Sequence, residues 1–294
     1  MKVGCVIVTF NKKDLLKECL DALNNQTISL SHIIIIDNCS TDGTEAYIKY
    51  LIKKQENIHY HRLKQNIGGA GGFNLGLKEA YKKDVDYVWI MDDDTIPKYN
   101  ALENLLKVAK LSTLSWGYLC SNVKWIDNSP CLMNIPDPSD NWNNKLDLGV
   151  VSIKRATFVS LLIPKNILCE VGLPIKEFFI WGDDTEFTKR INKILPGYLV
   201  IDSEVIHKMA VNGGVNIIND TNERLNRYYY RYRNKLYMAR KSGFKEFMKF
   251  SFHTWNTIID VLRESDNNKF VKIWTLIKGY TAGLFFNPEI EIPD

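Results

Sequence analysis

Apolar runs alternate with amphipathic segments through the first third of the chain. The runs are rich in Val, Ile and other β-forming residues, and they predict strands at 2–10, 32–38, 57–63 and 87–91. The segments between them predict helices at 12–26, 40–54 and 72–83. Strands that are apolar throughout and alternate with helices are typical of a parallel sheet that is covered on both faces. Ligands of such sheets bind beyond the carboxyl ends of the strands.

The pattern is less regular in the middle of the chain and becomes helical after Asp220. Residues 128–144 hold several Pro, Asn and Asp residues and predict a loop or flap. Strands are predicted at 151–164 and within 197–208, and three aromatic, helical segments follow. We therefore expect a mostly parallel α/β domain over residues 1–215. A helical C-terminal region over 216–294 is expected to make acceptor, membrane or dimer contacts.

Charge is unevenly distributed along the 294 residues. The whole chain has 38 basic and 34 acidic side chains, a balance that gives no support for nucleic-acid binding. Residues 222–282, however, contain 13 Lys and Arg against 5 Asp and Glu. This local excess suggests an anionic partner or surface for the C-terminal helices.

The six cysteines are scattered, and none forms a CxxC pair. Zinc and redox motifs therefore have no support, and buried free thiols in a reducing cytoplasm are expected. The first apolar run is too short for a secretory signal. No run is long enough to cross a bilayer, and the nearest one, 273–286, contains Lys278.

Three adjacent carboxylates, Asp92, Asp93 and Asp94, follow the strand predicted at 87–91. They repel one another, and a solvated turn is the plain explanation. Their place at the ligand edge of the sheet favours a second one, in which a divalent cation such as Mg²⁺ or Mn²⁺ relieves the repulsion. Asp92 and Asp94 are two residues apart and should project to the same side. Asp93 would then point elsewhere, for instance to a ribose hydroxyl.

The sequence NIGGAGGFNLG at 66–76 has glycines directly before a predicted helix. It would be a flexible surface turn, or a place where backbone N–H groups approach an anionic ligand closely. The spacing matches neither the dinucleotide-binding nor the P-loop pattern, so those functions lose support.

A second acidic group stands in FFIWGDDTEF at 178–187. Asp183, Asp184 and Glu186 would be stabilising in the first turn of a helix without any further function. The alternative is a general base beside an aromatic wall. His207 follows another strand, and a lone histidine is more often structural than catalytic.

Taken together and in this order, the motifs resemble family 2 glycosyltransferases of the GT-A, or Rossmann-like, fold. The resemblance covers about residues 1–210 and rests on VIVTFN, IIIIDNCSTDGT, NIGGAGGFNLGL, WIMDDD, WGDDTEF and the later His207. The glycine-rich and both acidic motifs are most similar to those of bacterial galactofuranosyltransferases, and next to those of rhamnosyltransferases. Gly182, between Trp181 and the acidic pair, departs from the family pattern.

The resemblance implies a metal-dependent, inverting transfer of a sugar from a nucleotide-sugar. Asp92, Asp94 and His207 would hold Mn²⁺ or Mg²⁺, Asp184 would be the general base, and Asp183, Glu186 and Trp181 would bind the acceptor. The nucleotide-sugar would lie against Thr9, Phe10, Asn11, Asp37, Asn38, Asn66, Gly68, Gly69, Gly71, Gly72, Asp92 and Asp93. The donor would be UDP-galactofuranose, or else dTDP-rhamnose. The acceptor would be a hydroxyl of a growing, lipid-linked cell-surface polysaccharide.

Two other classes of function stay open on the sequence. A sugar nucleotidyltransferase has a related fold, but it needs a Gly-rich, basic loop after its first strand, where this chain has TFNKKDLL. A non-catalytic nucleotide-sugar-binding protein would not need a second carboxylate pair. For a transferase we expect a cytoplasmic protein, peripherally bound to the inner face of the membrane through residues 222–286, with homo-oligomers as an alternative use of the same helices.

Overall fold

The computed structural model describes residues 1–220 and 222–294, without the side chains of 222 and 223. Its strands are β1 (Val3–Thr9), β2 (His32–Asp37), β3 (Ile58–Arg62), β4 (Tyr87–Asp92), β5 (Thr95–Pro97), β6 (Tyr118–Lys124), β7 (Asp137–Pro138), β8 (Val150–Arg155), β9 (Leu161–Pro164) and β10 (Gly197–His207). Its α-helices are α1 (Lys13–Asn24), α2 (Thr44–Ile52), α3 (Gly68–Tyr81), α4 (Ala101–Ala109), α5 (Ile167–Val171), α6 (Asp183–Ile191), α7 (Asn222–Lys241), α8 (Phe244–Glu264) and α9 (Lys269–Phe285).

All described strands join one sheet in the order β3-β2-β1-β4-β9-β6-β10-β8-β7, with β5 paired to β10. The first four strands of that order, β3, β2, β1 and β4, pair in parallel as the sequence predicts. The other half is mixed, because β9 runs antiparallel to both β4 and β6, whereas β10 is parallel to β6. The predicted α/β architecture is therefore present, with its regular half at the N-terminus.

Helices cover the sheet on both faces, as the unbroken apolar strands indicate. In β1, Val3, Cys5 and Ile7 belong to the core cluster on one face, whereas Val6 and Val8 belong to the cluster on the other. This alternation follows from the two-residue period of a strand. Two separate apolar layers thus fix the strand ends, and with them the polar residues that follow.

The structure corrects three of the predicted elements. The helix expected from residue 72 begins at Gly68, so the glycine-rich stretch forms its first turns. The strand expected over 151–164 is two strands, β8 and β9, which lie in different places in the sheet. Strand β6, between β9 and β10, was not predicted at all. Its second half, Ser121 to Lys124, is polar and hides the strand pattern.

The three C-terminal helices pack on the sheet domain and on one another. Their core cluster contains Tyr228, Tyr232, Val261 and Leu276, and Trp181 from the sheet domain packs against it. The terminal segment also returns to the sheet domain, where Leu173 N–H donates to the carbonyl of Glu291 at 2.7 Å. None of the helices in the described part of the chain has the length and apolar character needed to cross a membrane.

Candidate active site

Polar residues meet at the carboxyl ends of β1, β2 and β4. The register pairs Thr9 with Asp37 and Val8 with Asp92, so these ends lie side by side. Asp93 turns back towards β1, where its Oδ2 accepts from the Thr9 hydroxyl at 2.8 Å and from Phe10 N–H at 3.3 Å. The end of β1 therefore holds Asp93 Oδ2, while Asp93 Oδ1 and Asp94 Oδ2 share the ammonium group of Lys12.

The antiparallel pairing of β5 with β10 brings His207 to the acidic turn. His207 is the register partner of Thr95, and its Nε2 lies 3.1 Å from Asp94 Oδ1. One ligand atom each from Asp92, Asp94 and His207 lies within 4.8 Å of the others. His207 Nδ1 faces Asn134 Oδ1 at 2.8 Å, so a proton on Nδ1 would leave Nε2 directed at the carboxylates.

The electrostatics of this cluster fit a bound cation. Burial, followed by the charge of Asp94, raises the pKa of Asp92 to about 7. Burial would also raise the pKa of Asp94, but the hydrogen bond and charge of His207 and the charge of Lys12 outweigh it and lower that pKa. Lys12 Nζ lies 2.7 Å from Asp94 and 3.3 Å from Asp93. The carboxylates of Asp93 and Asp94 thus already bind one positively charged group, the ammonium of Lys12.

The types of ligand in this cluster also suit a divalent cation. Two carboxylates and one imidazole are ligands that suit Mn²⁺, and the carboxylates suit Mg²⁺. Burial lowers the pKa of His207, but its hydrogen bond to Asp94 prevails and raises that pKa to about 10. The buried hydroxyl of Thr95 has no hydrogen-bond partner in the described part of the chain. The residues present could therefore hold a divalent cation, which would take the place of the proton on His207 Nε2.

The residues predicted for the nucleotide side form a buried, hydrogen-bonded shelf. Asp37 accepts from the Ser40 N–H at 2.8 Å and from the Tyr60 hydroxyl at 2.5 Å. Asn38 donates to the Gly68 carbonyl at 3.1 Å and accepts from Ile67 N–H at the same distance. The side chains of Asp37 and Asn38 thus hold the backbone at this edge of the sheet in place through hydrogen bonds.

Phe10, Asn11 and Asn66 lie at the more open rim of this shelf. Phe10 is 44% exposed. Asn11 accepts from Thr41 N–H at 2.7 Å, and Asn66 accepts from Gly68 N–H at 2.8 Å. These contacts order the two loops that border the predicted nucleotide site.

The glycines of α3 serve close packing before any ligand is considered. Gly68 has φ +79°, and a Cβ there would lie 2.0 Å from the carbonyl oxygen of Phe179. A Cβ on Gly71 would meet Ile67 at 2.9 Å, and one on Gly72 would meet Val8 at 2.5 Å. Gly69 has no such neighbour within 4 Å, which leaves it as the open glycine of the four.

The second acidic pair begins α6. Asp183 and Asp184 both have raised pKa values, chiefly because they are buried. The charge of Asp92 adds to the rise for Asp183, whereas Arg155 opposes it for Asp184. Arg155 also contacts the next residue, since its Nη1 lies 3.4 Å from the Thr185 hydroxyl, so Asp184 lies on the side of Arg155. Glu186 pairs with Arg190 at 2.8 Å on the same helix.

The loop before α6 is strained and is held from outside the sheet domain. Phe179 and Trp181 have φ of +61° and +65°, in the left-handed region that non-glycine residues avoid. Asn234 of α7 is fully buried, and its side-chain amide donates to the carbonyls of Phe178, Ile180 and Trp181 at 2.9, 3.2 and 2.9 Å. Gly182, at φ +95°, completes the turn into α6. A C-terminal helix thus fixes the segment that presents both aspartates.

Comparison with known proteins agrees with this geometry. Residues 5–113 match the sequence model of Glycosyl transferase family 2. The chain carries a glycosyltransferase family 2 domain. Galactofuranosyltransferase GlfT1 of Mycobacterium tuberculosis is 28% identical over 276 residues, which cover 84% of each protein. The resemblance stated from the motifs is confirmed, and the protein is an enzyme of the glycosyltransferase class.

Solved structures confirm the GT-A fold. GalNAc-T7, solved with UDP, GalNAc and Mn²⁺, superposes with a TM-score of 0.62 at 16% identity, over 81% of this chain and 50% of that one. S. aureus TarS 1-349 in complex with UDP gives a TM-score of 0.55 at 15% identity, over 97% of this chain and 72% of that one. This glycosyltransferase thus spans half of the GalNAc-T7 chain, and at these identities the likeness concerns the fold alone.

Three residues of the glycosyltransferase site were not singled out from the sequence. Lys12 touches two of the three strand-end aspartates, Asn134 faces His207, and Asn234 holds the loop before α6. Lys12 had a weak signal in the sequence, because it directly follows the VIVTFN motif. Asn134 lies in the segment predicted as a flap, and Asn234 lies in an aromatic helix. No local pattern marks either of them.

Proposed function

We propose that this glycosyltransferase moves galactofuranose from UDP-galactofuranose onto a hydroxyl of a growing, lipid-linked cell-surface polysaccharide, with inversion at the anomeric carbon. The observation that carries the proposal is the presence of two carboxylate sets at this end of the sheet. Asp92 and Asp94 cluster with His207, and the loop that leads into Asp183 and Asp184 packs on the start of α3, where Ala70 N–H donates to the Phe179 carbonyl at 3.1 Å. The similarity to GlfT1 over 84% of both chains supports the choice of sugar.

On the donor side, Asp92, Asp94 and His207 would hold a divalent cation, and the nucleotide would lie over the shelf formed by β1, β2 and the start of α3. Such a cation would offset the charge of the donor diphosphate and of the departing nucleotide. Lys12, whose ammonium group contacts Asp93 and Asp94, would also bind a phosphate oxygen of the donor. Asp93, which accepts from the Thr9 hydroxyl, would also accept from a ribose hydroxyl.

On the acceptor side, Asp184 is the proposed base. The acceptor oxygen forms a bond to the anomeric carbon while its proton passes to the Asp184 carboxylate. The bond from that carbon to the phosphate oxygen breaks, and the electron pair leaves with the nucleotide diphosphate. A carboxylate of raised pKa is suited to this task, since a base works best near the operating pH. Trp181, Asp183 and Glu186 would border the acceptor.

The C-terminal region, residues 216–294, is proposed to hold the enzyme at the cytoplasmic face of the membrane. Aromatic side chains of α8 and α9 stand in solvent, among them Phe252 at 67%, Trp255 at 62% and Phe270 at 87% exposure. Lysines lie beside them, and Lys278 Nζ is 5.2 Å from the Trp274 ring centre. An apolar stripe with basic flanks is typical of helices that lie on anionic membranes. The six cysteines are free, which agrees with a reducing compartment.

The donor is tested with a panel of nucleotide-sugars in the presence of Mn²⁺, with release of the nucleotide diphosphate as the signal. UDP-galactofuranose should be the best substrate, and a preference for dTDP-rhamnose would replace the proposed sugar while keeping the reaction class. No diphosphate release with any donor and acceptor would contradict the enzymatic proposal and favour a binding protein.

The base is tested by comparing Asp184→Asn with Asp183→Asn. We expect Asp184→Asn to lower transfer by about 10²–10⁴-fold, the usual contribution of a general base, while UDP affinity measured by calorimetry stays within a factor of two or so. If Asp184→Asn retains the wild-type rate while Asp183→Asn is inactive, Gly182 has shifted the register by one residue and Asp183 is the base.

A further inference from the structure

Two histidines contact each other across the pairing of β2 with β3, apart from the proposed active site. His32 begins β2, and His59 is the second residue of β3, which is an edge strand of the sheet. The register pairs His59 with Ile34, so both imidazoles lie on the face of the sheet where Ile34 joins the core. Five residues of β2 separate His32 from Asp37, which places the pair about 16 Å from the ligand edge.

Each ring turns one nitrogen towards the other. His32 Nδ1 lies 2.9 Å from His59 Nε2, and the ring planes are tilted by 42°. In the described part of the chain, this contact is the only hydrogen bond of either ring. As a hydrogen bond, it needs a proton on one nitrogen and a lone pair on the other. With the protons on the two outer nitrogens instead, both lone pairs would be directed at a common ion, as in metal sites built from imidazoles.

The surroundings keep both imidazoles in the neutral form that binds metals. Burial, followed by the charge of Lys83, lowers the pKa of His32 and of His59 from the ordinary value of 6.5. The other charged or titratable groups that act on the pair are Lys2, Asp84 and His61. The charge of Lys83 also disfavours a metal cation, so the imidazoles have to bind it by coordination.

The distance between the two nitrogens indicates the geometry of a bound ion. With metal–nitrogen bonds of about 2.0–2.1 Å, two nitrogens 2.9 Å apart subtend an angle of about 90° at the metal. Tetrahedral zinc would need about 3.3–3.4 Å between them. A right angle belongs to neighbouring positions of a tetragonal complex, the geometry that Ni²⁺ and Cu²⁺ prefer with nitrogen ligands. Both rings are partly exposed, so water can fill the other positions.

We propose that His32 and His59 form a metal site of their own, which binds Ni²⁺ or Cu²⁺ in preference to Zn²⁺ and links the edge strand β3 to β2. In the described part of the chain β3 pairs only with β2, so a bond through the metal would add to that pairing. The strand also carries Tyr60, whose hydroxyl donates to Asp37 at 2.5 Å. A metal at the pair would therefore stabilise one border of the shelf that contains Asp37.

The test is calorimetric titration of the untagged protein at neutral pH with Ni²⁺ and, separately, with Zn²⁺. His32→Gln and His59→Asn each remove one imidazole and keep a polar side chain. His61→Asn is the matched control, because His61 lies on the same strand and face but has Glu79 at 4.0 Å as its partner. All titrations are repeated in the Asp94→Asn background, which separates the histidine pair from the strand-end carboxylates.

The protein should bind one Ni²⁺ ion whose affinity does not depend on Asp94, and Zn²⁺ should bind more weakly at that site. His32→Gln and His59→Asn should each weaken this binding by about 100-fold or more, since loss of even an outer-shell partner costs about 10–100-fold. His61→Asn should bind Ni²⁺ as wild type does, and Lys83→Gln should bind it more tightly.

Melting temperatures provide a second readout. In the Asp94→Asn background, Ni²⁺ should raise the melting temperature with and without His61→Asn, because an ion that binds only the folded protein stabilises it. The same ion should leave the melting temperature of His32→Gln and His59→Asn unchanged. Each variant is compared with itself before and after Ni²⁺ is added, so a loss of stability caused by the substitution does not affect the result.

Three outcomes would overturn the inference. If the loss of either histidine leaves Ni²⁺ binding unchanged, the pair is a hydrogen bond only. If His61→Asn weakens binding as much as His59→Asn, the ion lies elsewhere on β3. If Zn²⁺ binds the pair more tightly than Ni²⁺, the right-angle geometry is wrong. The donor panel measures diphosphate release, so its failure would refute the proposed function without altering these titrations.

Discussion

Replacement of Asn234 by Asp tests whether a C-terminal helix positions the loop before α6, which leads into the proposed base. The change keeps the size of the side chain and the Oδ1 that accepts from Arg233 at 3.1 and 3.0 Å. It removes the amide hydrogens that serve the three loop carbonyls and puts a carboxylate oxygen against them. The perturbation is therefore confined to the contact between α7 and the loop.

The magnitude follows from one stabilising and two destabilising contributions. A buried carbonyl left without its donor costs about 1–3 kcal/mol, so the loss of two amide hydrogens costs about 2–6 kcal/mol, and a stronger pair with Arg233 returns about 1 kcal/mol. The left-handed conformations of Phe179 and Trp181 cost about 1–2 kcal/mol each, and this strain is released when the loop detaches from Asn234 and relaxes. The relaxed loop should then predominate, with a fall in kcat of about 10- to 100-fold.

The assay compares kcat, the KM for the donor, UDP affinity and the melting temperature for Asn234→Asp and for Asn104→Asp. Asn104 is a matched control, because it is buried in α4, donates to the Asp202 carbonyl at 2.7 Å and accepts from Lys107 at 3.3 Å. Both variants should lose some stability, but only Asn234→Asp should lose kcat, and UDP affinity should persist in both. If Asn234→Asp keeps kcat within a factor of about two, or if Asn104→Asp loses as much, the proposed positioning role is wrong.

Four further predictions follow from the same structure. EDTA should abolish transfer and Mn²⁺ should restore it, and Asp94→Asn should need far more Mn²⁺ for the same rate, whereas full activity of that variant in EDTA would exclude the cation site. The acid limb of kcat/KM should lie above the ordinary aspartate pKa of 3.8, because burial raises the pKa of Asp184 and the base works only when deprotonated. Arg155→Gln removes a charge that lowers this pKa, so a pH–rate profile should show the limb at higher pH, and an unchanged limb would mean that Asp184 is not the titrating base. Gly68→Ala should lower the melting temperature, because its Cβ would collide with the Phe179 carbonyl, whereas Gly69→Ala, with open space around it, should not; equal effects would contradict the packing argument. Phe252→Ser with Trp255→Ser should reduce sedimentation with anionic vesicles at low salt while Tyr50→Ser, which removes an exposed aromatic ring from α2, does not; equal binding of all three would place the membrane contact elsewhere.

The sequence predicted those parts of the fold and site that depend on short stretches of chain. The strands β1, β2 and β4 are apolar on both faces, so their existence and the polar character of their ends follow from composition alone. The contact of Asp93 with Thr9 follows from the parallel pairing of β1 and β4, which brings the ends of these strands together. The glycine stretch was harder, because low helix propensity argued for a turn, and packing against β1 overrode it.

The parts that could not be predicted depend on pairings between distant segments. His207 reaches Asp94 across 113 positions only because β5 turns back and pairs with β10. The contact of Asn134 with His207 spans 73 positions and that of Asn234 with Trp181 spans 53, and neither has a local signature. The contacts of Asn134 and Asn234 can be recognised only when the topology is known. His207 differs from them, because its place in the order of motifs resembles the family pattern.

Helix α7 joins two tasks that the sequence assigns to separate regions. Asn234 and Lys235 are neighbours in the chain, and consecutive helical side chains diverge by about 100°. One therefore points into the sheet domain and holds the Trp181 carbonyl, whereas the other is exposed to solvent. A change in the packing of this turn of α7 would therefore reach the loop before Asp183 and Asp184 directly, because the Asn234 amide is what holds that loop. The C-terminal helices would then have a part in the proposed transfer as well as in the proposed membrane contact.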